Sequence, residues 1–160
     1  MDKTEQMEDK RYIFGSLLII SNKMDTLLER DMKEYGVTTK QWFLLVIIES
    51  LFVNPPTMKE VAKEMGSSHQ NVKQIALKLQ EKGLLMLEKD QNDARVTRLR
   101  KTELGHNFWA ITQSKGMEFT EYLFKDIEKE NLLKGRLVLQ KMLSNLNDME
   151  SRNDERKDKI

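Results

Sequence analysis

Two histidines, His69 and His106, are the chain's only imidazoles, and it contains no cysteine. Disulfides, thiolate metal sites and thiol redox chemistry are therefore excluded. Zinc needs three or four clustered ligands, and two isolated histidines with scattered acids do not supply them. Asp90-Gln91-Asn92-Asp93 resembles the start of a calcium loop, but the sixth position is Arg95 where glycine is required and the twelfth is Lys101. No His-x-x-x-His pair, glycine-rich phosphate loop or paired-acid motif is present. No catalytic residue, metal ligand or cofactor is assigned. The chemistry that remains is recognition. His69, Gln70, Asn71, Lys73 and Gln74 crowd into six positions, with Ser68 before them and Lys78 a turn beyond. Gln and Asn can bond adenine bidentately, and Lys can meet guanine or phosphate. Twenty residues on, Arg95, Arg98 and Arg100 follow Asp90 and Asp93. The bland readings are a solvated helix face and a surface Asp93–Arg95 pair of little worth to stability.

Local signals in residues 55–105 say which elements hold these side chains. Thr57 caps a third helix, with Glu60 completing a capping box. Met58, Val61, Ala62 and Met65 form its inner face, and Gly66 ends it. Ser67-Ser68 is a turn, and Ser68 caps a fourth helix whose inner face is Val72, Ile75, Ala76 and Leu79. Gly83 stops that helix. Helix, short turn, helix is a DNA-reading pattern when the second helix exposes its first turns. Its N-terminus also favours a phosphate. The runs Leu84–Lys89 and Val96–Lys101 flank a polar turn and predict a hairpin. Val96 and Leu99 are its apolar positions, and Arg98 and Arg100 share the opposite face as candidate phosphate contacts. Arg95 at the tip suits a minor groove, with Asp93 shaping the loop.

The flanks are helical. A first helix from about Asp9 to Tyr35 carries the stripe Ile13, Leu17, Ile20, Met24 and Leu27, and Gly36 ends it. Thr38 and Gln41 open a second helix whose body, WFLLVIIESLF, must be surrounded by protein. Thr102 caps a fifth helix to about Lys129, and a sixth runs from about Asn131 to Met149. Residues 1 to about 8 and the charged tail 151–160 are expected to be disordered. The fold class is mainly α with a small β-hairpin wing: residues 37–101 form a winged helix-turn-helix, and residues 1–36 and 102–150 form a helical dimerisation region. Spare apolar surface on the long helices is most simply covered by a second copy.

A composition that is 33% charged and 39% hydrophobic, with two prolines and seven glycines, suits a soluble helical protein. The polar, acidic N-terminus is unlike a signal peptide, and no apolar run approaches a membrane span, so a cytoplasmic location is expected. The net charge of +1 is unevenly spread. Residues 55–101 carry ten Lys and Arg against six acids, and the remainder seventeen against twenty. A basic module in an acidic frame fits an electrostatic DNA footprint.

These residues resemble the MarR family of bacterial winged-helix regulators. The family's Asp-x-Arg wing, later Leu and Thr-x-x-Gly are matched by Asp93-Ala94-Arg95, Leu99 and Thr102-Glu103-Leu104-Gly105. An earlier wing acid is matched by Asp90, and the end of the recognition helix by Leu79, Gly83 and Leu84. The chain departs from the family at Gln74, Gln91, Ala94 and Lys101, where arginine, proline, arginine and leucine are usual. The resemblance implies a homodimer on a pseudo-palindromic operator, acting as a transcriptional regulator, with a small aromatic or phenolic ligand in a cleft beside the dimer helices. Tyr12, Trp42, Phe43, Phe108 and Trp109 are the candidate lining, against ordinary core packing as the alternative. The rival to double-stranded DNA as partner is a helical dimer that binds protein alone.

Overall fold

The computed structural model describes residues 8–157. The expected fraying at the start therefore falls, apart from Glu8, outside the described residues. The elements are α1 Asp9–Glu34, α2 Thr39–Leu51, α3 Met58–Glu64, α4 His69–Glu81, β1 Leu85–Lys89, β2 Thr97–Lys101, α5 Glu103–Leu123 and α6 Lys129–Lys157. They fall into two compact units, one running to Gly116 and the other from Met117 onward.

The first unit is organised around α2. Its near-continuous apolar sequence demands cover on several sides, and α1, α3 and α4 supply it. Leu44 and Leu45 have no exposed surface, and they share one core with Val61, Val72, Ala76, Leu79, Leu85 and Leu99. Each such leucine contributes about 2 kcal/mol relative to an exposed one. Both predicted capping boxes form. Thr38 Oγ1 accepts the Gln41 N–H at 3.2 Å while Gln41 Oε1 accepts the Thr38 N–H at 3.2 Å. Thr57 Oγ1 accepts the Glu60 N–H at 3.2 Å, and the Glu60 carboxylate accepts the Thr57 N–H at 2.7 Å. A third tie was not legible in the sequence. The Glu29 carboxylate on α1 accepts the N–H and hydroxyl of Thr39 at 2.8 and 2.9 Å, fastening α1 to the start of α2. The Thr39 N–H is the main reason this carboxyl sits below its ordinary range.

β1 and β2 pair antiparallel, Leu87 opposite Leu99 and Glu88 opposite Arg98. The hairpin differs from the expected one at its start. Val96 lies before β2, where its N–H donates to Asp93 O at 2.9 Å and its carbonyl accepts from Asp90 N at 3.0 Å. Side chains alternate along a strand, so Thr97, Leu99 and Lys101 share one face and Arg98 and Arg100 the other. Leu99 and Lys101 are the buried pair.

The Thr-x-x-Gly segment joins the hairpin to α5. Thr102 Oγ1 donates to Gly83 O at 2.6 Å and accepts the Gly105 N–H at 3.0 Å. A Cβ on Gly105 would collide with the Leu84 carbonyl. Glycine is therefore required there by close approach.

The second unit holds the end of α5 and all of α6. α5 stops at Leu123, six residues before the predicted end. The break is made by Asp126 at φ 60, with Ile127 N–H donating to Phe124 O at 3.2 Å. Aspartate is one of the few non-glycine residues that visit this conformation readily, so the turn carries neither Gly nor Pro. α6 then continues through Lys157, past the expected stop at Met149. No Pro or Gly follows Gly135 to end it. Seven of the ten tail residues are thus helical, and residues 158–160 lie outside those described. Leu133, Leu137, Leu143, Leu146 and Met149 are all exposed in the single chain. On α1 only Leu28 and Met32 are buried. No helix among the described residues is long and apolar enough to cross a membrane.

Candidate nucleic-acid interface

α4 is presented by a rigid turn. Gly66, at φ +59, closes α3, and Ser67 N–H reaches back to Ala62 O at 2.9 Å in the bond pattern of a glycine-ended helix. Ser68 Oγ then accepts the Asn71 N–H at 3.1 Å and caps α4 as expected. His69, Gln70, Lys73, Gln74 and Lys78 are exposed. Gln70, Lys73 and Gln74 make no side-chain hydrogen bond among the described residues and are free to meet a ligand.

Asn71 departs from expectation. It is half-buried, and its amide donates to Ser67 Oγ at 2.8 Å. That amide is committed to the turn and does not face outward. Asn71, Gln74 and Lys78 also line one wall of a cavity of about 330 Å³, with Asp25 and Glu29 of α1 opposite. Lys40 joins Lys78 in that lining, so two ammonium groups balance the two carboxylates there. The outward face passes instead through Gln70, Lys73, Gln74 and Leu77. Leu77 was not singled out by chemistry, although it lies two turns from Gln70 on the same side of the helix.

The wing is built around two carboxylates. Asp90 accepts N–H groups from Asn92 and Asp93 at 2.9 and 3.1 Å, and the Arg98 Nε–H. Asp93 accepts the Arg95 backbone N–H, Nε–H and Nη2–H, each at 3.0 Å. Both carboxyls are held below the usual carboxylate range, chiefly by Arg98 for Asp90 and by Arg95 for Asp93. The Arg95 side chain is nonetheless 90% exposed. Its fork is oriented by Asp93 while its far side stays open.

Arg98 is a correction. Its Nη1 donates to Pro55 O at 2.9 Å, its Nε is tied to Asp90, and it is half-buried. Together with the Leu99 N–H bond to Pro56 O at 2.8 Å, it bolts the wing root to the α2–α3 linker. It is a brace and not a free phosphate contact. Arg100 is exposed and donates to Glu88 across the hairpin at 2.8 Å.

None of the five aromatic residues proposed for a cleft lines the cavity beside α4 or the one beside β2. Tyr12 and Phe43 are exposed. Trp42 packs so closely on α5 that a Cβ on Gly116 would sit 2.8 Å from its ring. Phe108 meets Tyr35 edge-on at 6.5 Å. Trp109 has the Lys101 ammonium 5.9 Å from its ring centre. A cavity of about 310 Å³ beside β2 is lined by other residues, among them Phe52, Pro55, Glu49, Lys101 and His106. There the buried Lys101 pairs with Glu49, and burial pulls its pKa down. No cluster of three or more candidate metal ligands exists among the described residues.

The sequence profile of the MarR family matches residues 35–96, from the end of α1 to the wing tip. Residues 35–96 match the MarR family, and β2 completes the winged helix-turn-helix. Over 122 residues the chain is 27% identical to the transcriptional repressor MprA of Escherichia coli K12, covering 74% of this chain and 68% of that one. Two solved structures share the fold. A MarR/EmrR family transcriptional regulator from Acinetobacter sp. ADP1 matches with a TM-score of 0.79 at 15% identity, covering 89% of this chain and 99% of that one. The S. aureus MepR–DNA complex matches with a TM-score of 0.74 at 22% identity, covering 85% and 95%. The family profile ends at Val96, short of β2 and the Thr-x-x-Gly junction.

Proposed function

We propose that this MarR-family transcriptional regulator is a homodimeric repressor that reads a pseudo-palindromic DNA operator in the cytoplasm and is released by a small aromatic ligand. The observation that carries the reading is the uncommitted outer face of α4, capped at Ser68, beside a wing that holds Arg95 in the open. α4 enters the major groove with Gln70, Lys73 and Gln74 toward base edges. Arg95 enters the flanking minor groove, and Arg100 and Lys78 lie nearer the phosphates. The repressor relative and the DNA-bound structural neighbour support this. So does the exposed apolar surface of α1 and α6, which a second copy would cover. Two copies place the recognition helices on half-sites about one helical turn apart. The role is steric and needs no catalysis.

The release step rests on Trp42. Its Nε1 is buried without an acceptor among the described residues. An acceptor carried by a ligand against α2 and α5 would satisfy it, and movement of these helices would change the spacing of the two α4 copies.

Selection from random duplexes at low salt, followed by a salt titration of the best binder, tests the proposal. Affinity is expected to fall with a log–log slope of about −0.9 per phosphate neutralised. No binding to any duplex at low salt would leave the protein-binding helical dimer as the better reading.

A further inference from the structure

The outer face of α4 carries one residue that polar recognition does not explain. At about 100° per residue, Leu77 projects within roughly 30° of the direction opposite the buried stripe Val72, Ile75, Ala76 and Leu79. It is 41% exposed, on a face otherwise made of Gln70, Lys73 and Gln74. Its isobutyl group is therefore held out of the core, toward the C-terminal end of the surface that would meet the groove. The major groove offers one apolar group, the C5 methyl of thymine.

We infer that Leu77 is a specificity-determining residue, packing against a thymine methyl in each half-site. The inference rests on the reading that α4 lies in the major groove. It also fixes a position. Leu77 lies seven residues beyond Gln70, roughly 10 Å along the helix axis. With bases spaced about 3.4 Å apart, the thymine stands about three base pairs from the pair that Gln70 meets. A glutamine on adenine and a leucine on thymine together describe an A·T-rich half-site.

Replacing thymine by deoxyuridine removes the methyl and leaves every hydrogen-bonding group in place. The test takes the duplex selected above and changes each thymine in turn, with binding read by fluorescence anisotropy of the full chain. One thymine per half-site is expected to show about a fourfold loss, the worth of one buried methyl. Leu77→Ala is expected to bind the parent duplex more weakly and to lose that sensitivity. The substitution lies on an exposed helical face and introduces a good helix former, and a melting curve checks the fold. The inference is overturned if no thymine methyl matters to the wild-type chain, or if Leu77→Ala keeps the full deoxyuridine effect. Both results leave DNA binding itself intact. A wild-type chain that binds no duplex overturns the regulator reading together with this one.

Discussion

Arg95 and Arg98 stand three positions apart and do opposite things. Each is bonded to an aspartate, but Arg95 keeps 90% of its side chain exposed whereas Arg98 is spent on Asp90 and Pro55. Arg95→Ala should therefore lower duplex affinity and flatten the salt slope by about one unit. It should hardly move the melting temperature, because an exposed pair is worth little. Arg98→Ala should lower stability, by about 1–3 kcal/mol, since it leaves the Pro55 carbonyl and Asp90 without their donor. Denaturation and anisotropy on the two variants separate the roles. The same carboxylates set an acid limit. Asp90 and Asp93 are depressed by their arginines, so their contribution is complete above the ordinary carboxylate pKa of about 4. It fades as pH falls below that value through the lowered ones. Wing amides followed by NMR should lose their dispersion on acidification while those of α2 keep theirs. The sequence displayed Asp93 and Arg95 as a local pair. It hid the Arg98 bond to Pro55, because the partner is a backbone carbonyl 43 residues away.

Among the elements, those with local punctuation were legible. Thr38, Thr57 and Ser68 cap where their side chains say they should, and Gly36, Gly66 and Gly83 end helices at positive φ. Each is a contact within a few residues, so spacing alone reveals it. The α5–α6 break was misplaced because Asp126 makes the turn without a glycine or proline to announce it. The buried Lys101 was equally silent, since its partners Glu49 and Trp109 come from other elements. Its energetics are testable. Replacing the pair together, Lys101→Leu with Glu49→Leu, should raise stability by about 1–2 kcal/mol, because apolar side chains replace charges that must be desolvated. Glu49→Ala should lower it by about 1 kcal/mol, because the carboxylate is itself partly exposed and its pairing is screened. Gly105→Ala should be worse tolerated than either, at about 4 kcal/mol or more, because the added methyl meets backbone. Chemical denaturation of the three variants gives the order.

For the whole molecule, the exposed apolar residues of α1 and α6 carry the expectation of a dimer. Tyr12, Phe14, Leu18 and Ile19 on α1, with Leu133, Leu137, Leu143 and Leu146 on α6, are far more apolar surface than a lone soluble chain usually shows. Sedimentation should give a species of twice the chain mass at micromolar concentration. The thermal midpoint should rise with protein concentration, as mass action requires of a folded dimer. A monomer with a concentration-independent midpoint would remove the second half-site from the mechanism.

The single hydroxyl of Thr102 touches the end of α4's turn at Gly83 and the first turn of α5 at Gly105. One side chain thus joins two helices end to end. Any displacement of the first turn of α5 therefore pulls on Gly83 and, through it, on the C-terminal end of α4.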